Sequence, residues 1–222
     1  MKTCWVWVLL VPLVGTGAAA GQAPVPVDQE PHHHVLLKND FVDVIHVTLP
    51  AGESTLFHTH VRDRVSVALT STTVAQQKVN EPEGRPGTTH PGDLSASATE
   101  GPYTHRIHNV GPRTFEVVDV EFFHRPEHPS ENAAAAVAVE NPSARVYKWT
   151  LAAGAATPLH THERPYLILA ATPMQLKIAG PDGSSMTHEV KAGDFHWVDG
   201  RVSHSLENAG SAEGQVVEIE VK

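Results

Sequence analysis

Two histidine pairs, each split by one threonine, carry the reactive chemistry of this chain: His58-Thr59-His60 in LFHTHVRDR and His160-Thr161-His162 in PLHTHERPY. Neutral imidazole is a good ligand for transition metals. In an extended strand alternate side chains share a face, so each pair would present both rings in one direction. A third histidine follows each pair, His105 and His204, far enough along to lie on a later strand that pairs nearby. Three imidazoles converging in a barrel make an open metal site, with the remaining positions left to water or substrate. A lone His-x-His occurs freely, but here the spacing recurs, with Gly52 and Gly154 upstream and Asn109 and Asn208 downstream.

The elements that would hold these residues repeat as well. Gly52, His58 and His60 match Gly154, His160 and His162 at a constant offset of 102. Gly92-Asp93 matches Gly193-Asp194 at 101, and His105 and Asn109 match His204 and Asn208 at 99. Such small drift implies duplicated domains with minor loop changes. Within each half the β-formers predict strands over 41–49, 65–70, 74–78 and 115–122, then over 145–151, 166–170, 174–178 and 215–221. Pro181-Asp182-Gly183 has the chemistry of a turn. Ala133 to Ala138 forms the one tempting helix, closed by Pro142.

Residues 1–20 have the pattern of a signal peptide: Lys2, an apolar run from Trp5 to Val14, and Ala18-Ala19-Ala20 before the cleavage position. The run is shorter than the ~20 residues of a membrane span. The expectation is an exported protein, secreted or periplasmic, with no stable membrane span after cleavage. Cys4, the only cysteine, lies in that segment, which excludes disulfides, cysteine nucleophiles and iron–sulfur clusters from the mature chain. Acidic residues outnumber basic ones by 25 to 16 without a basic stripe, which argues against nucleic acid as a partner. Residues 21–37 read as a flexible leader in which His32-His33-His34 is an exposed polar tract. The domains are then expected at 38–128 and 143–222, joined by a linker at 129–142.

The doubled motifs resemble those of the cupins. Gly52 to His60 and Gly154 to His162 fit the first part of the first cupin motif. Gly193, Gly200, His204 and Asn208 fit the second motif with one extra residue before the histidine. Gly92, Gly101-Pro102, His105 and Asn109 fit it with a longer insertion. The resemblance spans about residues 38 to 222 and implies an all-β fold of two tandem cupin barrels, the double-stranded β-helix or jelly roll. It implies metal ligands at His160, His162 and His204 and at His58, His60 and His105.

Both halves depart from the family where it usually has a glutamate: Arg64 stands there in the first and Tyr166 in the second. Strand parity points both side chains inward, and places Glu163 opposite the histidines. Without that carboxylate the second half resembles the three-histidine cupins, among them iron-dependent dioxygenases, with Tyr166 placed to bond substrate or oxygen. In the first half a guanidinium ~5 Å from a cation costs about 3 kcal/mol at an effective dielectric near 20, which favours the second site for metal. Two escapes remain open: Asp63 swings in as a ligand, or Arg64 pairs with Asp63 and clamps an anionic substrate. Asp119, Glu121, Glu218 and Glu220 alternate with valines and isoleucine and are expected on an outer polar face; the alternative places them in the pocket as partners of the ligands or as bases.

Three functions follow. The first is a metal-dependent enzyme of the three-histidine dioxygenase type acting on a small molecule, with Tyr166 and Arg64 as catalytic candidates. The second is a non-catalytic metal- or ligand-binding cupin, and the third a metal-dependent lyase or isomerase. Fe2+ is the first choice of cofactor, with Zn2+, Mn2+, Ni2+ and Cu2+ open. Whether the chain forms a homodimer is also open. A serine hydrolase using Ser203 and His204 lacks the Gly-x-Ser-x-Gly elbow.

Overall fold

The computed structural model describes residues 23–126 and 135–222. The expected signal peptide and Cys4 lie outside the described residues. So do residues 127–134, and with them the start of the expected helix.

Four sheets account for the fold, two in each half. In the first half, the strands Val42–Leu49, Phe115–Phe122 and Arg64–Ala68 sit side by side, flanked by His33–Lys38 and Leu94–Ser97. The facing sheet joins Val25–Pro26, His58–His60, Tyr103–Asn109, Thr73–Lys78 and Gly87–Thr88. The second half repeats this. Val139–Glu140, Ala144–Leu151, Gly214–Val221, Tyr166–Ala170 and Phe195–Val198 make one sheet, and His160–His162, Val202–Asn208, Met174–Ala179 and Ser185–Val190 the other. This is the expected all-β pair of jelly rolls.

The repeated glycine and asparagine build the corner beneath each histidine triad. Gly52 and Gly154 adopt φ of 79° and 74°, a left-handed turn that disfavours any Cβ. Each donates its N–H to the carbonyl of Asn109 or Asn208 at 2.8 Å. The Asn208 amide in turn donates to Leu151 and Ala212 carbonyls, as Asn109 does to Leu49 and Arg113. These fully buried amides lock the ends of the strands that carry the histidines.

The sheet that holds Val42–Leu49 and the sheet that holds Ala144–Leu151 pack against one another through an apolar seam. Val42, Val44, Val65, Val67, Val118 and Val120 of the first half meet Val146, Leu167, Leu169, Val217 and Ile219 of the second in a single buried cluster. Burying each such side chain contributes roughly 1.5–3 kcal/mol, so the seam is a principal stabilising element. The central strands are therefore buried on both faces, and their alternate residues point into the barrels. Asp119, Glu121, Glu218 and Glu220 lie there, all buried, and not on the outer face expected from their alternation.

Two further expectations are corrected. The leader is not flexible from residue 23 onward: Val25 pairs with His58, and His33–Lys38 is a strand on Val42–Leu49. His33 is consequently buried. Ala135 to Ala138 is not helical, and Val139–Glu140 pairs with Arg145 and Val146. The end of the expected linker also ties the halves together, since the Asn141 side chain donates to the carbonyls of Arg64 and Ser97. No helix among the described residues is long and apolar enough to cross a membrane.

Candidate metal centre

The short strand His160–His162 pairs antiparallel with Val202–Asn208 so that His160 faces His204 directly. His162 shares the inward face by parity, and the Nε2 atoms of His204 and His160 approach to 3.0 Å. Opposite them stands Glu218, from the central strand Gly214–Val221. Its carboxylate lies 2.8 Å from His204 Nε2, 3.1 Å from His160 Nε2 and 3.2 Å from His162 Nε2. Four ligand atoms thus fall within 4.8 Å of one another, all from buried residues, and could hold a metal ion. The second half has a carboxylate after all, delivered from a strand that the linear motif does not include.

Each ring is also held from behind. His160 Nδ1 bonds the Pro158 carbonyl at 2.9 Å, and His162 Nδ1 bonds Glu220 at 2.8 Å. His204 Nδ1 lies 3.3 Å from the Tyr166 hydroxyl. A ring that donates through Nδ1 presents its Nε2 lone pair, which is how protein sites orient metal-binding imidazoles. The Trp149 indole N–H donates to Glu218 at 2.7 Å. Three nitrogens and one carboxylate oxygen, oriented in this way, fit a divalent transition metal.

The electrostatics agree with the geometry. Burial alone would raise the Glu218 carboxyl, but hydrogen bonds from the three histidines outweigh it and hold the group well below the ordinary carboxylate range. Burial alone would lower His162, yet Glu218 and Glu220 raise it to about 9. Burial together with those two carboxylates pushes the Tyr166 phenol up, so it keeps its proton. Tyr166 stacks on the His162 ring, with centroids 4.0 Å apart. Glu163 points away, as parity requires, and pairs with Arg201. Ser203 bonds Thr161 on the opposite side of the strand from His204, which dismisses the serine hydrolase.

In the first barrel His58 faces His105 across the strand pair, and His60 completes a cluster within 4.8 Å that could also hold a metal. The support behind the rings is partly the same: His58 Nδ1 bonds the Leu56 carbonyl and His60 Nδ1 bonds Glu121. Its surroundings differ. Arg64 points inward as expected, and its guanidinium donates to His60 Nε2 at 2.6 Å, occupying the lone pair that a metal would need. Asp119 occupies the position of Glu218 but is one methylene shorter, and it is not part of the histidine cluster. Asp63 provides neither expected escape. It turns to the seam, where Arg125 and Ser143 bond its carboxylate.

Burial lowers all three rings of the first triad. His58 falls to about 4, and Arg64 adds to the lowering of His60 and His105. Burial and Asp119 push Glu121 up to about 7. Burial would raise Asp119 itself, but Arg64, His60 and a hydrogen bond from Ser66 together outweigh that and keep it ionised. His33, which the sequence placed in an exposed tract, packs edge-on against His58 at 4.6 Å. No local pattern marks it, since His34 and Val35 beside it on the strand are both exposed. Glu218 and Trp149 had only strand parity to mark them.

No protein-family model matches the chain. A 90-residue stretch is 32% identical to the β-alanine degradation protein BauB of Pseudomonas aeruginosa, covering 40% of this chain and 94% of that protein. Among solved structures, AerE from Microcystis aeruginosa superposes with a TM-score of 0.64 at 14% identity, over 90% of this chain and 98% of its own. A salicylate 1,2-dioxygenase mutant from Pseudoaminobacter salicylatoxidans, in complex with gentisate, gives 0.58 at 14% identity over 89% and 76%. A cupin 2 conserved barrel domain protein from Leptotrichia buccalis gives 0.53 at 14% identity over 86% and 88%. With its paired histidine motifs on two jelly rolls, the chain belongs to the cupin superfamily, as a bicupin.

Proposed function

We propose that the protein is a metal-dependent enzyme acting on a small organic molecule, with a divalent transition metal held in the second barrel by His160, His162, His204 and Glu218. The observation that carries this reading is the convergence of those four ligand atoms within 4.8 Å. Fe2+ is the first choice of ion, with Zn2+, Mn2+, Ni2+ and Cu2+ compatible with the same donors. When bound, the ion supplies Lewis acidity and, if iron, the capacity to activate oxygen.

The chain's own residues set the conditions for that chemistry. Glu218 brings one negative charge into a buried site and offsets part of the cation's charge. Glu220 and the Pro158 carbonyl fix the tautomers of His162 and His160. Tyr166 keeps its proton and braces two of the rings, through the stack on His162 and the contact with His204. Dioxygenase chemistry is the finer form of the proposal, supported by the fold shared with salicylate 1,2-dioxygenase. We extend the same reading to location: the leading segment directs export to the periplasm or beyond.

A specific observation favours a second reading, a binder without turnover. Leu151, Ile168, Met174, Leu176, Leu206 and Val216 pack as one apolar cluster with Tyr166, which itself touches His162 and His204. Oxygen uptake by iron-loaded protein over a panel of thiols, diketones and phenolics separates the two. Consumption that disappears in His160→Ala supports the enzyme. Full iron content with no consumption supports the binder, and turnover without oxygen supports a lyase or isomerase.

A further inference from the structure

The first barrel holds a half-open cavity of about 290 Å³ beside its histidine triad, at the small end of ligand pockets, which run from roughly 300 to 1,000 Å³. Arg64, His105 and Asp119 line it. Each of these residues has a buried polar atom without a hydrogen-bond partner: Arg64 Nε, His105 Nδ1 and Asp119 Oδ1. A buried polar group left unpaired is costly, and native interiors keep few of them. Three in the side chains that line one cavity mark its polar wall, where a small side-chain shift would bring these atoms to a ligand.

We propose that this cavity binds a small organic acid carrying a hydroxyl or amino group, and that Arg64 has converted the first barrel from a metal site into this pocket. Their chemistry sets the class of ligand. A guanidinium N–H needs an acceptor, and its match is a carboxylate. An ionised Asp119 oxygen needs a donor, which a bare carboxylic acid anion cannot supply and a hydroxyl or ammonium can. His105 Nδ1 accepts or donates according to its tautomer. Val47, Phe115 and Val117 supply apolar wall for a compact body, beside the polar Ser66, Gln76, Thr89 and Asp93. Arg64 also lines an outer cleft of about 790 Å³, bounded by Tyr103 and Lys78, so a ligand entering by that cleft meets Arg64.

The inference is independent of the metal assigned to the second barrel, and its test is arranged accordingly. Full-length protein with His160→Ala and His204→Ala confines binding to the first barrel. Calorimetry is run with matched pairs: 3-hydroxybutyrate and butyrate, β-alanine and propionate, salicylate and benzoate. The substituted member of at least one pair should bind at least about tenfold more tightly, since a hydrogen bond to a charged group has that worth. Arg64→Gln should weaken it by a further tenfold or more, and Asp119→Asn should remove the preference within the pair. The Arg64 Nε–H resonance should shift on addition of ligand, a readout that a folding defect in the variants does not touch. The proposal fails if no acid on the panel binds, if binding survives Arg64→Gln, or if the confined protein takes up a stoichiometric metal ion at the first triad.

Discussion

The two barrels hold the same histidine triad on the same strands, with the same glycine and asparagine corner below it and a glutamate behind its middle ring. They part most sharply at two positions. Where the second has Tyr166 and Glu218, the first has Arg64 and Asp119. One methylene and one charge separate the outcomes: a carboxylate that reaches all three Nε2 atoms, or a guanidinium that occupies one of them. The difference teaches that the paired histidines identify the fold, while the residues facing them determine what each barrel holds.

The largest effect should come from removing the ligands on one side only. His160→Ala with His204→Ala should abolish stoichiometric metal binding, whereas His58→Ala with His105→Ala should leave it unchanged; elemental analysis of purified protein reads both. Next in size is a transplant. Arg64→Tyr together with Asp119→Glu gives the first barrel the second barrel's set, and metal content should rise from about one to about two ions per chain. A single ion in the transplanted protein would show that the two positions do not account for the difference.

Glu220→Gln should weaken metal binding by roughly 10–100-fold, the usual effect of loosening a group behind a ligand, and Glu121→Gln should not change it. Competition with a chelator of known affinity measures the difference. In protein stripped of metal, the barrels should respond to pH in opposite directions. His162 is raised from 6.5 to about 9, so the stability it contributes is complete below 6.5 and is lost as pH rises through 9. His58 is lowered from 6.5 to about 4, so the unfolded chain binds more protons in that window and the first barrel weakens as pH falls through it. Hydrogen exchange resolved by barrel distinguishes these from a common drift. The smallest effect belongs to Tyr166→Phe, which removes one long hydrogen bond at 3.3 Å but keeps the stack; chelator competition should show a loss of only a few-fold.

Much of this was legible in the sequence, and the parts that were not have a common cause. The duplication, the two triads, and the inward direction of Arg64 and Tyr166 follow from spacing and strand parity. Glu218 did not, because an alternating strand reads as half exposed when only one partner sheet is assumed. Its valine face lies in the seam between barrels, so its acidic face had to be the interior. That seam brings together residues as distant as Val44 and Ile219, and no local pattern records it. His33 was misjudged for a related reason. Polar residues in a proline-rich lead-in read as solvent-exposed, yet its strand adds to the sheet edge and buries one histidine against another.

The central claim is that one barrel holds metal and the other does not. An anomalous-difference map from crystals of the full chain grown with Zn2+ or Mn2+ addresses it without any substitution. The account predicts one strong peak, bounded by His160, His162, His204 and Glu218, and none between His58, His60 and His105. A peak of equal or greater height at the first triad, with Arg64 displaced, would contradict it.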